Sequence, residues 1–114
     1  MDDLDKKALL FDFYGELLTG RQRQIYDDAV NGDLSLAEIA AKYGITRQGA
    51  SDQLRRTTGK LASYEKTLGM VKRYRTIGAI VRQMDTICET EGASVSKKEI
   101  RRFASRIRQA LDSE

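Results

Sequence analysis

The chain has 114 residues, no proline, no histidine, one cysteine and a net charge of +3, which fits one domain or a compact domain with a helical extension. Helix-favouring and charged residues dominate, so the composition predicts an all-α protein. No apolar run approaches the roughly 18 residues of a membrane span, and the acidic start Met1-Asp2-Asp3-Leu4-Asp5 lacks the order of a signal peptide, so a cytoplasmic protein without membrane attachment is expected.

The first helix is predicted from about Leu4 to Leu18, with Leu9, Leu10, Phe13, Leu17 and Tyr14 forming a wide apolar face. Thr19 and Gln22 have the spacing of a capping box for a second helix that carries Ile25, Tyr26 and Ala29 inward until Asn31-Gly32 ends it. Ser35 and Glu38 repeat that spacing and open a third, short helix whose apolar positions are Leu36, Ile39, Ala40 and Tyr43. Gly44 supplies the left-handed residue that stops it, and Thr46 is placed to cap the next. Small Ala40 is expected at the crossing of the two helices. Together residues 35–57 read as a helix-turn-helix, whose second helix is the one that enters a major groove.

The fourth helix has no early stop. Ala50, Leu54, Thr57, Leu61, Tyr64, Leu68 and Val71 continue one seam at three- and four-residue steps, with Gly69 as a bend or break. A further apolar stripe runs through Tyr74, Ile77, Val81, Met84 and Cys88, and places the lone cysteine as a buried small hydrophobe. Glu91-Gly92 closes that segment. Ser96 with Glu99 opens a last helix with Ile100, Phe103, Ala104, Ile107 and Leu111 on one face. Residues 1–68 are read as the helix-turn-helix part and 69–114 as a helical extension that packs on that core or on a second subunit. The long stripes favour a homodimer.

Charge is distributed unevenly. Up to Gly44 there are five Lys/Arg against nine Asp/Glu; from Ile45 onward there are fifteen against eight, so the second part supplies the attraction for a polyanion. The exposed early residues of the second motif helix are the candidates for base edges: Thr46, Arg47, Gln48, Ser51 and Asp52. Arg55, Arg56 and Lys60 follow toward backbone phosphates, and Arg21 and Arg23 add phosphate contacts. Asp52 repels phosphate unless an arginine at helical spacing neutralises it, and Gly49 leaves a reading position empty. Catalysis is not expected. There is no histidine, no phosphate-cradling glycine loop and no metal-ligand cluster, and Asp27-Asp28 point in different directions, so no cofactor or metal is expected either.

The blocks Leu17-Leu18-Thr19-Gly20-Arg21-Gln22-Arg23-Gln24-Ile25, Leu36-Ala37-Glu38-Ile39-Ala40 and Gly44-Ile45-Thr46-Arg47-Gln48 resemble region 4 of bacterial sigma factors. With Phe11-Asp12-Phe13-Tyr14, Arg56-Thr57, Leu61 and Tyr64-Glu65-Lys66-Thr67-Leu68, the first seventy-odd residues look more closely like the YlxM family of small Gram-positive bacterial proteins. That resemblance implies a non-enzymatic regulatory protein linked to the signal recognition particle pathway, with the particle's RNA or its GTPases as partners. It carries Thr46, Arg47, Gln48 and Arg56 onto the recognition helix, while Gly49-Ala50-Ser51 departs from the bulkier residues of many members and argues against a shared DNA target. The alternative is a sequence-specific transcriptional regulator with no link to targeting.

Overall fold

Local capping chemistry sets most of the helix boundaries. The computed structural model describes residues 3–112, and Asp2 of the acidic terminus lies outside them. Six α-helices and no strand occur among the described residues, so the protein is all-α: α1 (Asp3–Tyr14), α2 (Gly20–Val30), α3 (Leu36–Tyr43), α4 (Arg47–Leu68), α5 (Met70–Glu89) and α6 (Lys97–Asp112). A 3₁₀ turn, Gly15–Leu17, follows α1. The chain divides into two compact units, Met1–Leu68 and Gly69–Glu114.

In the first unit, α1 stops before the predicted Leu18. Gly15 is buried, and a Cβ there would sit 3.1 Å from the Phe11 ring. The tighter 3₁₀ turn then shifts Leu17 off the α-helical register. Leu10 and Tyr14 are buried as expected, but Leu17 is 54% exposed and Phe13 sits at the margin. Tyr26 of α2 stacks on Phe11 at 5.7 Å and donates to the Lys7 carbonyl at 3.3 Å. Burial pushes its phenol up to about 12. Tyr14 donates to the Glu65 carboxylate at 2.6 Å, which ties α1 to the far end of α4.

The reciprocal capping box of Thr19 and Gln22 starts α2, and that of Ser35 and Glu38 starts α3. In the second box the backbone and hydroxyl donors of Ser35 hold the Glu38 carboxyl below its ordinary value. Between α2 and α3 the left-handed residue is Asp33 (φ 55°), a conformation aspartate tolerates better than most. Gly32 is needed for a different reason: a Cβ there would lie 2.8 Å from the Asp28 carbonyl oxygen.

Ile25, Ile39 and Ala50 form the centre of the three-helix core, with Leu34, Leu36, Tyr43, Ile45 and Leu54 packed around them. Ala40, expected at the helix crossing, is half-buried, and Ala50 of α4 is fully buried with Ile25 and Ile39. Gly44 ends α3 at φ 64°, ψ 35°, and the Ile45 N–H reaches back to the Ala40 carbonyl at 3.0 Å, as in a Schellman cap.

Gly69 (φ 64°) ends α4, so the seam predicted to run through Leu68 and Val71 is two helices. In the second unit α5 and α6 form an antiparallel hairpin. Ile80 and Ala110 are buried in it, and Arg106 donates to the Gln83 side chain at 2.8 Å while its guanidinium lies over the Phe103 ring. The Ser96 hydroxyl caps α6 by accepting from the Glu99 N–H at 3.1 Å, but the Glu99 carboxylate takes the Ser96 hydroxyl rather than its backbone, so the box is half-made. Several stripe residues are not buried: Tyr74 (56%), Val81 (42%), Ile100 (56%) and Leu111 (57%) are exposed, as are Ala104 and Cys88. Cys88 is therefore not a core residue of this chain.

Two glycines of the first unit give opposite expectations. Gly44→Ala should destabilise by about 1–2 kcal/mol, because a Cβ strains the left-handed turn. Gly59 lies inside α4 and a Cβ there would meet no atom within 4 Å. Gly59→Ala should stabilise by about 1 kcal/mol. Urea unfolding of both variants against wild type checks the two signs.

Candidate nucleic-acid interface

Thr46 closes the helix-turn-helix turn with both of its oxygens. Its carbonyl accepts from Ala50 N–H and its hydroxyl from Gly49 N–H, each at 2.9 Å. The Gly49 N–H is one of the first-turn backbone donors of α4 that have no helical partner, and the Ala50 N–H makes the first intrahelical bond, to the capping residue's carbonyl. Gly49 is half-buried under this cap, and a Cβ would come within 3.1 Å of the Thr46 hydroxyl. It is thus part of the turn's packing rather than an empty reading position.

From that cap, α4 presents its candidates on the outward side. Gln48, Asp52, Arg56 and Lys60 recur at four-residue steps, with Arg47, Ser51 and Arg55 in the neighbouring row. Arg47, Gln48, Arg55, Arg56 and Lys60 are exposed, Ser51 and Asp52 half-buried, and Ala50 faces the core. The strip from Arg47 to Lys60 is about 20 Å long at 1.5 Å per residue.

Its electrostatics favour an anion. Asp52 is engaged twice: Gln48 Nε2 donates to its Oδ1 at 3.2 Å, and Arg55 Nη2 lies 3.0 Å from the same oxygen. The carboxylate that would repel phosphate is thereby offset within the helix. Arg47 and Arg56 form no ion pair among the described residues and leave their guanidinium groups open to solvent. Five Lys/Arg against two Asp/Glu give α4 a local charge of +3.

The two α2 arginines are placed differently. Lys60 Nζ donates to Gln22 Oε1 at 3.4 Å, which brings the basic end of α4 beside the N-terminus of α2. Arg21, however, lies over the Tyr43 ring, 5.4 Å from its centroid, in a cation–π contact with α3. Arg23 is exposed, and no contact among the described residues joins it to the α4 strip.

A polar cluster behind the motif was not legible in the sequence. Asp28 of α2 accepts from Lys42 Nζ at 2.9 and 3.0 Å and from the Tyr43 hydroxyl, holding the end of α3 against α2. The Tyr43 hydrogen bond, then Lys42, lowers the Asp28 carboxyl below its ordinary range; the same contacts raise Lys42 and Tyr43. Asp27 points away, accepting from the Asn31 amide at 2.7 Å. No spacing rule links residues 28, 42 and 43, so only the tertiary packing reveals them.

A family model described as "Putative helix-turn-helix protein, YlxM / p13 like" matches residues 1–102. The chain belongs to this family, UPF0122. Among similar relatives, a UPF0122 protein of Thermoanaerobacter sp. strain X514 is 45% identical over 76 residues, covering 67% of this chain and 65% of that protein. A UPF0122 protein of Acetivibrio thermocellus is 46% identical over 74 residues, 65% of this chain and 63% of the relative. One from Listeria monocytogenes is 40% identical over 81 residues, 71% of this chain and 74% of its own length. The matched segment thus spans less than two thirds of the first two relatives. The chain thus belongs to a helix-turn-helix family and is all-helical among its described residues, and no helix among them is long and apolar enough to cross a membrane.

The Asp28 cluster has a pH consequence. A carboxyl lowered by folding adds stability above its unfolded pKa, and that stability is lost as pH falls through the folded value. Wild type should therefore lose melting temperature below about pH 4 more steeply than Asp28→Asn, which should already be less stable at neutral pH. Parallel melting curves for the two proteins across pH 2.5–7 would remove Asp28 from the account.

Proposed function

We propose that this UPF0122 protein is a non-enzymatic regulatory protein that binds nucleic acid through the outward side of α4. The observation that carries this reading is the capped helix with solvent-facing Arg47 and Arg56 on a strip whose one carboxylate is already paired with Arg55. Arg47, Arg56 and Lys60 supply phosphate contacts at both ends of the strip, and the α2 N-terminus beside Lys60 adds a favourable dipole end. Gln48 and Ser51 are the groups left to read base edges, and Gln48 must release Asp52 to do so. This favours backbone-dominated binding with modest sequence selectivity over a tightly specific operator reader.

The pathway assignment rests on the YlxM resemblance. On that basis the protein acts with the signal recognition particle, with particle RNA or a particle GTPase as the physiological partner. A dedicated transcriptional regulator is the second reading, favoured by the groove-ready start of α4 at Thr46-Arg47-Gln48.

Salt-titrated anisotropy separates these. Wild type, Arg56→Ala/Lys60→Ala and Arg47→Ala/Gln48→Ala are titrated with random-sequence duplex DNA, particle RNA and the purified GTPase. Removing two phosphate contacts should weaken duplex binding about equally across sequences and reduce the slope of log K against log salt by roughly 1.8. Loss of selectivity confined to the Arg47/Gln48 variant would support the DNA regulator. No nucleic acid bound even at low salt would overturn the proposal.

A further inference from the structure

The most basic helix of the chain is α6, not α4. Its six Lys/Arg against two Asp/Glu give it +4, where α4 has +3, and this equals the whole surplus of the second unit. The hairpin uses one of the six: Arg106 donates to Gln83 and covers the Phe103 ring. The other five, Lys97, Lys98, Arg101, Arg102 and Arg108, are exposed and make no side-chain hydrogen bond or ion pair among the described residues. Phe103 and Ile107 are half-buried and Ala110 is buried, so helical spacing turns these five cations away from α5.

These cations are ordered along the helix. Lys97, Arg101 and Arg108 line one shallow groove over about 17 Å, with Lys98 and Arg102 in the neighbouring row. Between Arg101 and Arg108 the groove is floored by Ala104 and Ser105, whose small side chains let a strand lie close to the helix between two guanidinium groups. No carboxylate lines it. Of the two in α6, Glu99 takes the Ser96 hydroxyl and Asp112 ends the helix. The other described carboxylates of the second unit, Asp85, Glu89 and Glu91, stand toward the loop end of α5 with Arg82 beside them, and none pairs with a cation of α6.

We propose that this side of α6 is a second nucleic-acid contact, one that grips the phosphate backbone of a double helix without reading its sequence. That the polyanion is a nucleic acid rests on the α4 reading; the surface itself involves no residue of α4. The planar fork of an arginine matches two phosphate oxygens at once. Only Ser105 in the groove carries a neutral polar group, so base edges go unread. Single-stranded bases would need an aromatic platform, and the one ring of α6, Phe103, lies under Arg106. A membrane-surface helix would turn a whole apolar side to lipid. On α6 Phe103 and Ile107 are half-buried, and of its large apolar residues only Ile100 and Leu111 are exposed.

Salt-titrated binding of the full chain to random-sequence duplex DNA tests this. Arg101→Gln/Arg108→Gln changes exposed side chains only, so it should keep its circular dichroism. Its duplex binding should weaken about tenfold or more at low salt, and its slope of log K against log salt should fall by roughly 1.8. Arg101→Lys/Arg108→Lys keeps both charges and should keep the slope. The loss should be equal on two duplexes of unrelated sequence. Contact is made by the tips of long side chains, so the salt slope rather than the amide shifts of α6 is its measure. Wild-type binding by Arg101→Gln/Arg108→Gln, beside weakened binding by Arg47→Ala/Arg56→Ala, would overturn this surface and leave the α4 reading standing. The converse pair of results would support this surface and remove the α4 reading. If wild type binds vesicles of phosphatidylserine and phosphatidylcholine, and the glutamine variant loses that binding with its duplex binding unchanged, the strip is a membrane face and the proposal is overturned.

Discussion

Everything proposed for the first unit depends on a turn of three residues. Gly44 takes a left-handed conformation that a Cβ would strain, and Thr46 gives its hydroxyl to the Gly49 N–H and its carbonyl to the first intrahelical bond of α4, from the Ala50 N–H. Ile45 between them is packed against the Ile25–Ile39–Ala50 core. The direction in which α4 leaves the turn is therefore fixed by covalent sterics and two hydrogen bonds. Its outward side follows from helical periodicity, because Ala50 and Leu54 must face the core. The Asp28 cluster reinforces this from the other side by pinning the last turn of α3 to α2.

Charge is arranged on a finer scale than the total suggests. The first unit carries ten Lys/Arg and eleven Asp/Glu and the second carries ten and six, so the helix-turn-helix unit is slightly acidic as a whole. Long-range attraction of a polyanion thus cannot come from that unit's net charge. The local surplus on α4, with the Asp52 carboxylate paired in place, supplies a short-range attraction instead. Such short-range complementarity is sensitive to salt and to single arginines.

Caps were legible in the sequence because they are local chemistry. Thr19 with Gln22, Ser35 with Glu38, Gly44 and Thr46 each act within four residues, and the structure shows each in its expected role. Amphipathic stripes were legible only as stripes. Periodicity shows that Tyr74, Val81, Cys88, Ile100 and Leu111 lie on apolar faces, but it does not show which partner covers them. That is why the expectation of a buried Cys88 failed for the single chain. Leu17 is exposed where a 3₁₀ turn changes the period, and the helical spacing of the apolar residues does not reveal that turn. Arg21, expected among the phosphate contacts, lies over the Tyr43 ring of another helix, a pairing that no local spacing shows. The α4 candidates came together because they share one helix, whose spacing the sequence contains.

The central claim is that α4 presents the surface that meets nucleic acid. Amide chemical-shift mapping of the isotope-labelled full chain, titrated with a short random-sequence duplex at low salt, tests it most directly. The account predicts that shifts concentrate on Thr46, Arg47, Gln48, Ser51, Asp52, Arg55, Arg56 and Lys60, and that they fade as salt is raised. Shifts confined to residues 69–114, with the amides of α4 unmoved, would contradict it and would make the helix-turn-helix a scaffold rather than the binding surface.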